Sequence, residues 1–305
     1  MRIHIASTIL GAAVLTAALM SGNDAKSQNP SPDGAGVAAV YGNVSPDQIE
    51  FLSTPDRIKS VASSGAATAI WETLEHGEKV ECLDCIPVVE PLLYDANAKT
   101  REIAAWWLRR RVFGVFGSGQ TYERTINTLK SDGDPQRRAY AAYALGEFLA
   151  TPGIEACANA LATDGDATVR AAAASALGRL NDDGAGALGK AMSDGDVRVK
   201  IAAMNSESRI NQFADAPSVA GALGDADAHV RRRSLELLDA MRAKDSIATV
   251  TRLAQGDADA DVRAAACHAL GAFGDAGSRA TLEGIAQGDA NGLVRDQAQI
   301  ALRRL

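Results

Sequence analysis

Aromatic side chains are scarce in this sequence: Phe, Trp and Tyr make up 5% of its 305 residues. A core built with so few of them relies on small aliphatic groups in close contact. Cysteine is scarce too, at four residues, which excludes a disulfide-framed miniature fold. Positive charge is in deficit, 31 Lys and Arg against 38 Asp and Glu, for a formal charge of −7. Such a chain lacks the broad electrostatic footprint that holds a phosphate backbone, so no nucleic-acid partner is expected. After residue 20 no apolar run reaches the ~20 residues a membrane-spanning helix needs. Apolar residues, by contrast, make up 47% of the chain, enough for a sizeable core.

The first residues read as an address. Met1-Arg2-Ile3-His4 is a short basic start, Ile5 to Met20 carries no charge, and Ser21 to Ala25 are small or polar with one Asp. That order predicts a secretory signal peptide over 1–25 and an exported, periplasmic or extracellular protein. Neither Gly22 nor Ala25 gives an ideal small-x-small cleavage site, so an uncleaved anchor stays open as the alternative and is the one membrane contact expected. No Cys follows the apolar run, which argues against a lipoprotein anchor. Residues 26–46, rich in Ser, Asn, Pro and Gly, read as a disordered linker.

One seven-residue pattern then recurs seven times, starting at Asp95, Asp132, Asp164, Asp194, Asp225, Asp257 and Asp289. Successive starts are 37, 32, 30, 31, 32 and 32 residues apart, a period that signals stacked supersecondary units. Each copy precedes an apolar stripe at i, i+4, i+7, i+8, as in Val169, Ala173, Ala176, Leu177 and in Val262, Ala266, Ala269, Leu270. The Asp or Asn two residues into the motif suits a helix N-cap. Gly146, Gly178 and Gly271 read as left-handed C-caps ending that helix. A second, shorter apolar segment follows, such as Ile154 to Leu161 or Ser278 to Ile285. The expectation is an all-α solenoid in which each helix pair buries its stripe against its neighbours.

The signature Asp-x-Asp-x-x-Val-Arg-x-x-Ala-x-x-Ala-Leu-Gly, clearest from Asp164 and Asp257, resembles the HEAT-repeat family, in its short PBS-lyase HEAT-like variety. The resemblance covers 95–305 and implies an α-solenoid (superhelix) of two-helix repeats. Residues 47–94 fit loosely and read as a degenerate N-terminal helical cap: one helix from Pro55 to Leu74, a loop, and a second from about Pro87 to Tyr94. The family includes an enzyme branch, deoxyhypusine hydroxylase, whose His-Glu pairs bind iron. This chain has no His-Glu dipeptide, only the reversed Glu75-His76, which excludes that branch on residues. The phycobilin lyase branch has no such motif to test, but export argues against it.

In a stack of this kind the basic column Arg138, Arg170, Lys200, Arg231 and Arg263 lies beside the acidic column Asp132, Asp164, Asp194, Asp225 and Asp257. Charge-assisted hydrogen bonds between them form a structural ladder that sets the rotation between repeats. A Ca²⁺ site is excluded by ligand count: after Asp257, Asp259 and Asp261, Val262 stands where an EF-hand needs Gly and His268 where it needs Glu. Cys82 and Cys85 flank Leu83-Asp84 just before Pro87; in an oxidising compartment they read as a local disulfide. Redox or metal work by the pair is the alternative, with acidic neighbours opposing a thiolate. Cys157 and Cys267 lie four repeats apart, more than ~30 Å, so no zinc ion gathers the four cysteines. No metal, cofactor or catalytic constellation is expected.

Two adjacent repeats break a mostly polar surface row with Trp106 and Tyr143. Together with Tyr140, Arg109 and Arg110 they make a candidate protein-binding patch, with Arg111 close behind. The other reading has the N-terminal segment cover it through Tyr41 or Phe51. Along the second helices, small residues (Ala156, Ala160, Ala187, Gly189, Gly221, Ala222) predict a smooth groove for a helix or extended segment. In the unit starting at Asp194, Ser206-Glu207 replaces the Ala-Leu of the stripe: either the helix slips so that Ile210 fills the gap, or this unit is a soft joint. The functional expectation is a non-enzymatic exported scaffold or adaptor for a partner protein. The alternative is an accessory to periplasmic redox or cofactor assembly acting through Cys82 and Cys85.

Overall fold

Each repeat begins with the same two-step cap. The first Asp of the motif accepts the backbone N–H of the residue two further on, as Asp132 does from Asp134 at 2.9 Å and Asp257 from Asp259 at 2.9 Å. That second residue is the N-cap: Asn97, Asp134, Asp166, Asp196, Asp227, Asp259 and Asn291 all accept N–H groups of the helix they start. In the computed structural model, which describes residues 53–112, 119–210 and 215–305, these caps open α4 (Ala98–Arg109), α6 (Pro135–Phe148), α8 (Ala167–Leu180), α10 (Val197–Glu207), α12 (Ala228–Met241), α14 (Ala260–Phe273) and α16 (Gly292–Leu302). The expected signal peptide (1–25), the linker (26–46), Tyr41 and Phe51 lie outside the described residues.

Between these first helices run shorter second helices: α5 (Gln120–Ser131), α7 (Gly153–Thr163), α9 (Ala187–Ala191), α11 (Ala216–Gly221), α13 (Ile247–Gly256) and α15 (Arg279–Gly288). Each first helix packs on the next first helix and on the helical segment that precedes it, so the chain is an all-α solenoid; among the described residues every regular element is helical. The core is the predicted stripe: Val169, Ala173, Ala176 and Leu177, and likewise Val262, Ala266, Ala269 and Leu270, are fully buried. Small side chains let the helices approach closely, which makes a core with few aromatics workable.

Gly146, Gly178 and Gly271 do not end their helices. α6, α8 and α14 run on past them to a left-handed residue at Leu149, Asn181 and Gly274, and α12 ends the same way at Arg242. The glycines sit inside, against the next first helix. A Cβ on Gly146 would lie 2.9 Å from Ala176 Cα, one on Gly178 2.7 Å from Ser206 Cα, and one on Gly271 2.6 Å from Ala301 Cα. They are there for backbone approach rather than for a left-handed φ.

The cap also departs from its expected outline. α1 (Pro55–Ser64) and α2 (Ala67–His76) replace the single helix to Leu74, because the chain turns extended at Gly65, where a Cβ would meet Val61 O at 2.6 Å. The second segment is a 3-10 turn at Leu83–Cys85, a short α3 (Ile86–Val89) and a 3-10 stretch at Glu90–Tyr94. Pro91 has no N–H to continue an α ladder, which accounts for the tighter winding.

Glu207 settles the register of the Asp194 unit. Ser206 and Glu207 are both buried, Glu207 at 3% exposure, while Ile210 is half-buried, so the helix does not slip. The close approach of Gly178, where a Cβ would lie 2.6 Å from Ser206 Cβ, fixes α10 in place. Burial, reinforced by Asp183 and Asp215, pushes the Glu207 carboxyl up to about 7.

Candidate interaction surface

The charged columns meet as rungs between repeats. Arg138 grips Asp164 with two bonds of 2.8 Å, Arg170 grips Asp194 at 2.8 and 2.9 Å, and Arg231 grips Asp257 with two of 2.7 Å. Arg263 reaches Asp289 at 2.8 and 3.0 Å, and Lys200 pairs with Asp225. Each Arg also donates to the carbonyl of its own repeat's first Asp, as Arg138 does to Asp132 at 2.9 Å. The Arg170 and Arg263 bonds hold Asp194 and Asp289 below the ordinary carboxylate range. Burial pushes Asp164, Asp225 and Asp257 upward, but hydrogen bonds from Arg138, Lys200, Arg231 and the backbone outweigh it, and they too are lowered. The first rung differs: Arg101 stacks on Tyr140 at 3.7 Å, while Asp132 pairs with Arg137 at 2.9 Å, itself stacked on Tyr94. The longer 37-residue first spacing goes with this change of partners.

The five residues of the expected patch separate. Tyr140 and Tyr143 line a cleft of about 360 Å³ between α4 and α6, with Arg101, Glu102, Glu147 and Arg179 around them. Tyr143 is 44% exposed. Trp106 and Arg109 are half-buried and do not line that cleft. Arg110 turns to the cap and pairs with Glu78 at 3.2 Å. Arg111, at 4% exposure, stacks on Trp107 and donates to the carbonyls of Glu78 and Val80 at 2.6 and 2.8 Å. With Trp107 Nε1 bonding Gly77 O at 2.9 Å, it fastens the cap to the array. Sequence reasoning missed this anchor, since a run of three arginines reads as surface.

A second opening, about 800 Å³, lies between α10 and α12 and is lined by Arg198, Arg209, Arg232 and Arg233 above Val197 and Ile201. Both openings fall on the face made by the first helices, at junctions that lack a glycine at one sequence position. Fourteen residues after the first six motif starts stand Arg109, Gly146, Gly178, Ser208, Asp239 and Gly271. Where that residue is Gly, the next first helix packs backbone to side chain; where it is Arg109 or Ser208, the face opens into a cleft. Polar side chains bridge two of the wider junctions: Arg233 donates to Ser208 Oγ at 3.2 Å, and His268 Nδ1 meets Asp239 at 2.9 Å.

Along the second helices Ala156, Ala160, Gly189 and Ala222 are buried, Ala187 is half-buried and Gly221 exposed, while Asn159, Lys190, Arg252 and Glu283 are exposed. The buried small residues serve close packing there, as Gly189 does against Asp215 and Ser218. An opening of about 620 Å³ lies on this face between α13 and α15, lined by Ala280, Gly284 and Gly288. Cys82 and Cys85 are joined by a disulfide inside the cap, with Cys85 at 0% exposure and its sulfur 3.5 Å from Pro55 O. Cys157 and Cys267 are buried, and burial pushes both thiols up to about 12. Among the described residues no three His, Cys, Asp or Glu side chains converge as metal ligands, and no helix is long and apolar enough to cross a membrane.

Stacked helix pairs with a capped, Asp-initiated first helix define a helical-repeat solenoid. The family model for HEAT repeats matches residues 122–206 and 216–303, more than half the chain, and the protein belongs to the HEAT-repeat family. Its fold is similar to that of YibA from Escherichia coli (16% identity, TM-score 0.54), with 92% of this chain and all of that one covered. It is also similar to Kap95p in its complex with RanGDP (12% identity, TM-score 0.59), covering 82% of this chain and 40% of that one. An archaeal HEAT-like repeat protein from Thermococcus onnurineus matches at 16% identity and a TM-score of 0.48, over 72% of this chain and 96% of that one. No curated protein matches the sequence.

Proposed function

We propose that this chain is a non-enzymatic, exported scaffold that binds a partner protein along the first-helix face, with Tyr143 as an anchor in the α4–α6 cleft. The observation that carries the reading is the exposed Tyr143 beside the Arg101–Tyr140 stack, at a junction where the face opens. Tyr and Arg at the rim of a cleft are what binding hot spots are made of. Of the charged groups there, Glu147 pairs with Arg179 and Arg101 holds the carbonyls of Asp95 and Ala96, while Glu102 is exposed. That arrangement suits recognition rather than proton transfer. A fold neighbour, Kap95p, engages another folded protein, RanGDP, which supports the same use of a solenoid face. Export rests on the basic start and the uncharged stretch from Ile5 to Met20.

The test is crosslinking and pull-down of the full chain expressed with its N-terminal segment, wild type against Tyr140→Ala/Tyr143→Ala, with helicity checked by circular dichroism. A specific protein held by the wild type and lost by the folded variant is the expected result. Equal recovery from both overturns the cleft as the binding site. Recovery of the chain solely in the cytosolic fraction removes the export half of the reading.

A further inference from the structure

The α10–α12 opening has a chemistry of its own. Four guanidinium groups, Arg198, Arg209, Arg232 and Arg233, surround it, with Glu236 the one acidic side chain in the lining. This is a local reversal of sign on a chain of net charge −7. The arginines are only partly neutralised. Arg209 is exposed and makes no ion pair among the described residues; Arg232 lies 3.7 Å from Glu236 and 3.9 Å from Asp261, both exposed. Arg198 folds back on its own N-cap, Asp196, at 2.8 Å. Beneath them Val197 and Ile201 supply an apolar floor between two neighbouring helices.

Resting on the scaffold reading, we infer that this groove docks an acidic amphipathic helix of the partner protein, its apolar face on Val197 and Ile201 and its carboxylates on the arginine rim. A trough between two helices, apolar below and charged at the edges, matches the helix-in-groove mode of recognition. Guanidinium groups grip carboxylates through paired hydrogen bonds. A positive patch in a negative exterior also orients an acidic segment as it approaches. No Phe, Tyr or Trp lines the groove, leaving His229 as its one ring for stacking bases, which favours a peptide over single-stranded nucleic acid.

The probe is a fluorescein-labelled peptide of about 18 residues with Leu along one helical face and Glu elsewhere, titrated with the full chain by fluorescence anisotropy. A Lys-for-Glu counterpart and a single-stranded RNA of equal charge serve as competitors. The expected result is saturable binding of the acidic peptide, weakened about tenfold or more by Arg209→Glu/Arg232→Glu and weakened by added salt. The Lys peptide should not bind. Absence of binding to the wild type, equal binding by the folded variant, or more effective competition by the RNA overturns the inference. Loss of this binding alone, with Tyr143-dependent partner capture intact, refutes the groove and leaves the scaffold standing. Loss of both refutes both.

Discussion

Two kinds of junction stand out along this solenoid. Between α6 and α8, α8 and α10, and α14 and α16, a glycine faces the next first helix and the backbones close on one another. Between α4 and α6, and between α10 and α12, Arg109 and Ser208 hold that position and the surface opens into clefts. The difference shows how a repeat array can make binding sites without any change of fold. Glycine at one interhelical contact lets the backbones close, and where it is absent the residues around the gap set its chemistry.

The sharpest way to break the comparison is to give a closed junction a side chain. Gly271→Val would place a branched Cβ within 2.6 Å of Ala301 Cα; a loss of about 3 kcal/mol in denaturant unfolding is expected. Ser208→Val, at an open junction, should cost less than about 1 kcal/mol by the same measurement. Equal costs would remove the distinction.

The rungs span both junction types, so they test whether the ladder is a separate device. Arg231→Ala leaves Asp257, whose side chain is 4% exposed, without its partner; about 3 kcal/mol should be lost. Arg110→Ala, which breaks an exposed pair with Glu78, should cost under about 0.5 kcal/mol. The ladder carboxylates have lowered pKa values, so their stabilisation is full above the unfolded carboxylate range and is lost as pH falls through the folded values.

Glu207 has the opposite sign. Its carboxyl stays protonated up to about 7 in the folded chain, whereas the unfolded chain ionises it near 4.5. The native state therefore binds the extra proton, and stability falls as pH rises from about 4.5 to about 7. Glu207→Leu should raise stability by about 2 kcal/mol at pH 8, with the gain shrinking towards pH 5 in thermal melts. A gain independent of pH would place the effect in packing instead. The smallest effect concerns the helix ends: Leu149 holds a left-handed φ of 52°, and Leu149→Gly should add about 1 kcal/mol.

Much of this was legible in advance because it is local. The N-caps and the buried stripe depend on residues within about two or three helical turns of one another, and the Asp and Arg columns follow from stacking such units at a regular period. The function of the glycines was not legible in that way. Gly146, Gly178 and Gly271 look like helix ends to a local reading, yet the residues after Gly178 continue the helix through Arg179 and Leu180. Their fixed place fourteen residues after the motif was the available signal. Glu207 was misplaced for a related reason: a buried carboxylate argues for slippage, unless a contact such as Gly178 against Ser206 forbids it.

The repeat, the handover from cap to stripe in each unit, and the family are written in short-range patterns of hydrogen-bonding and apolar groups along the chain. Which junctions close, that Arg111 ties the cap down while Tyr143 stays exposed, and where the arginines of different helices gather emerge once the repeats are packed together. Those outcomes depend on how closely backbones about thirty residues apart in the chain approach one another, and local patterning does not encode that approach.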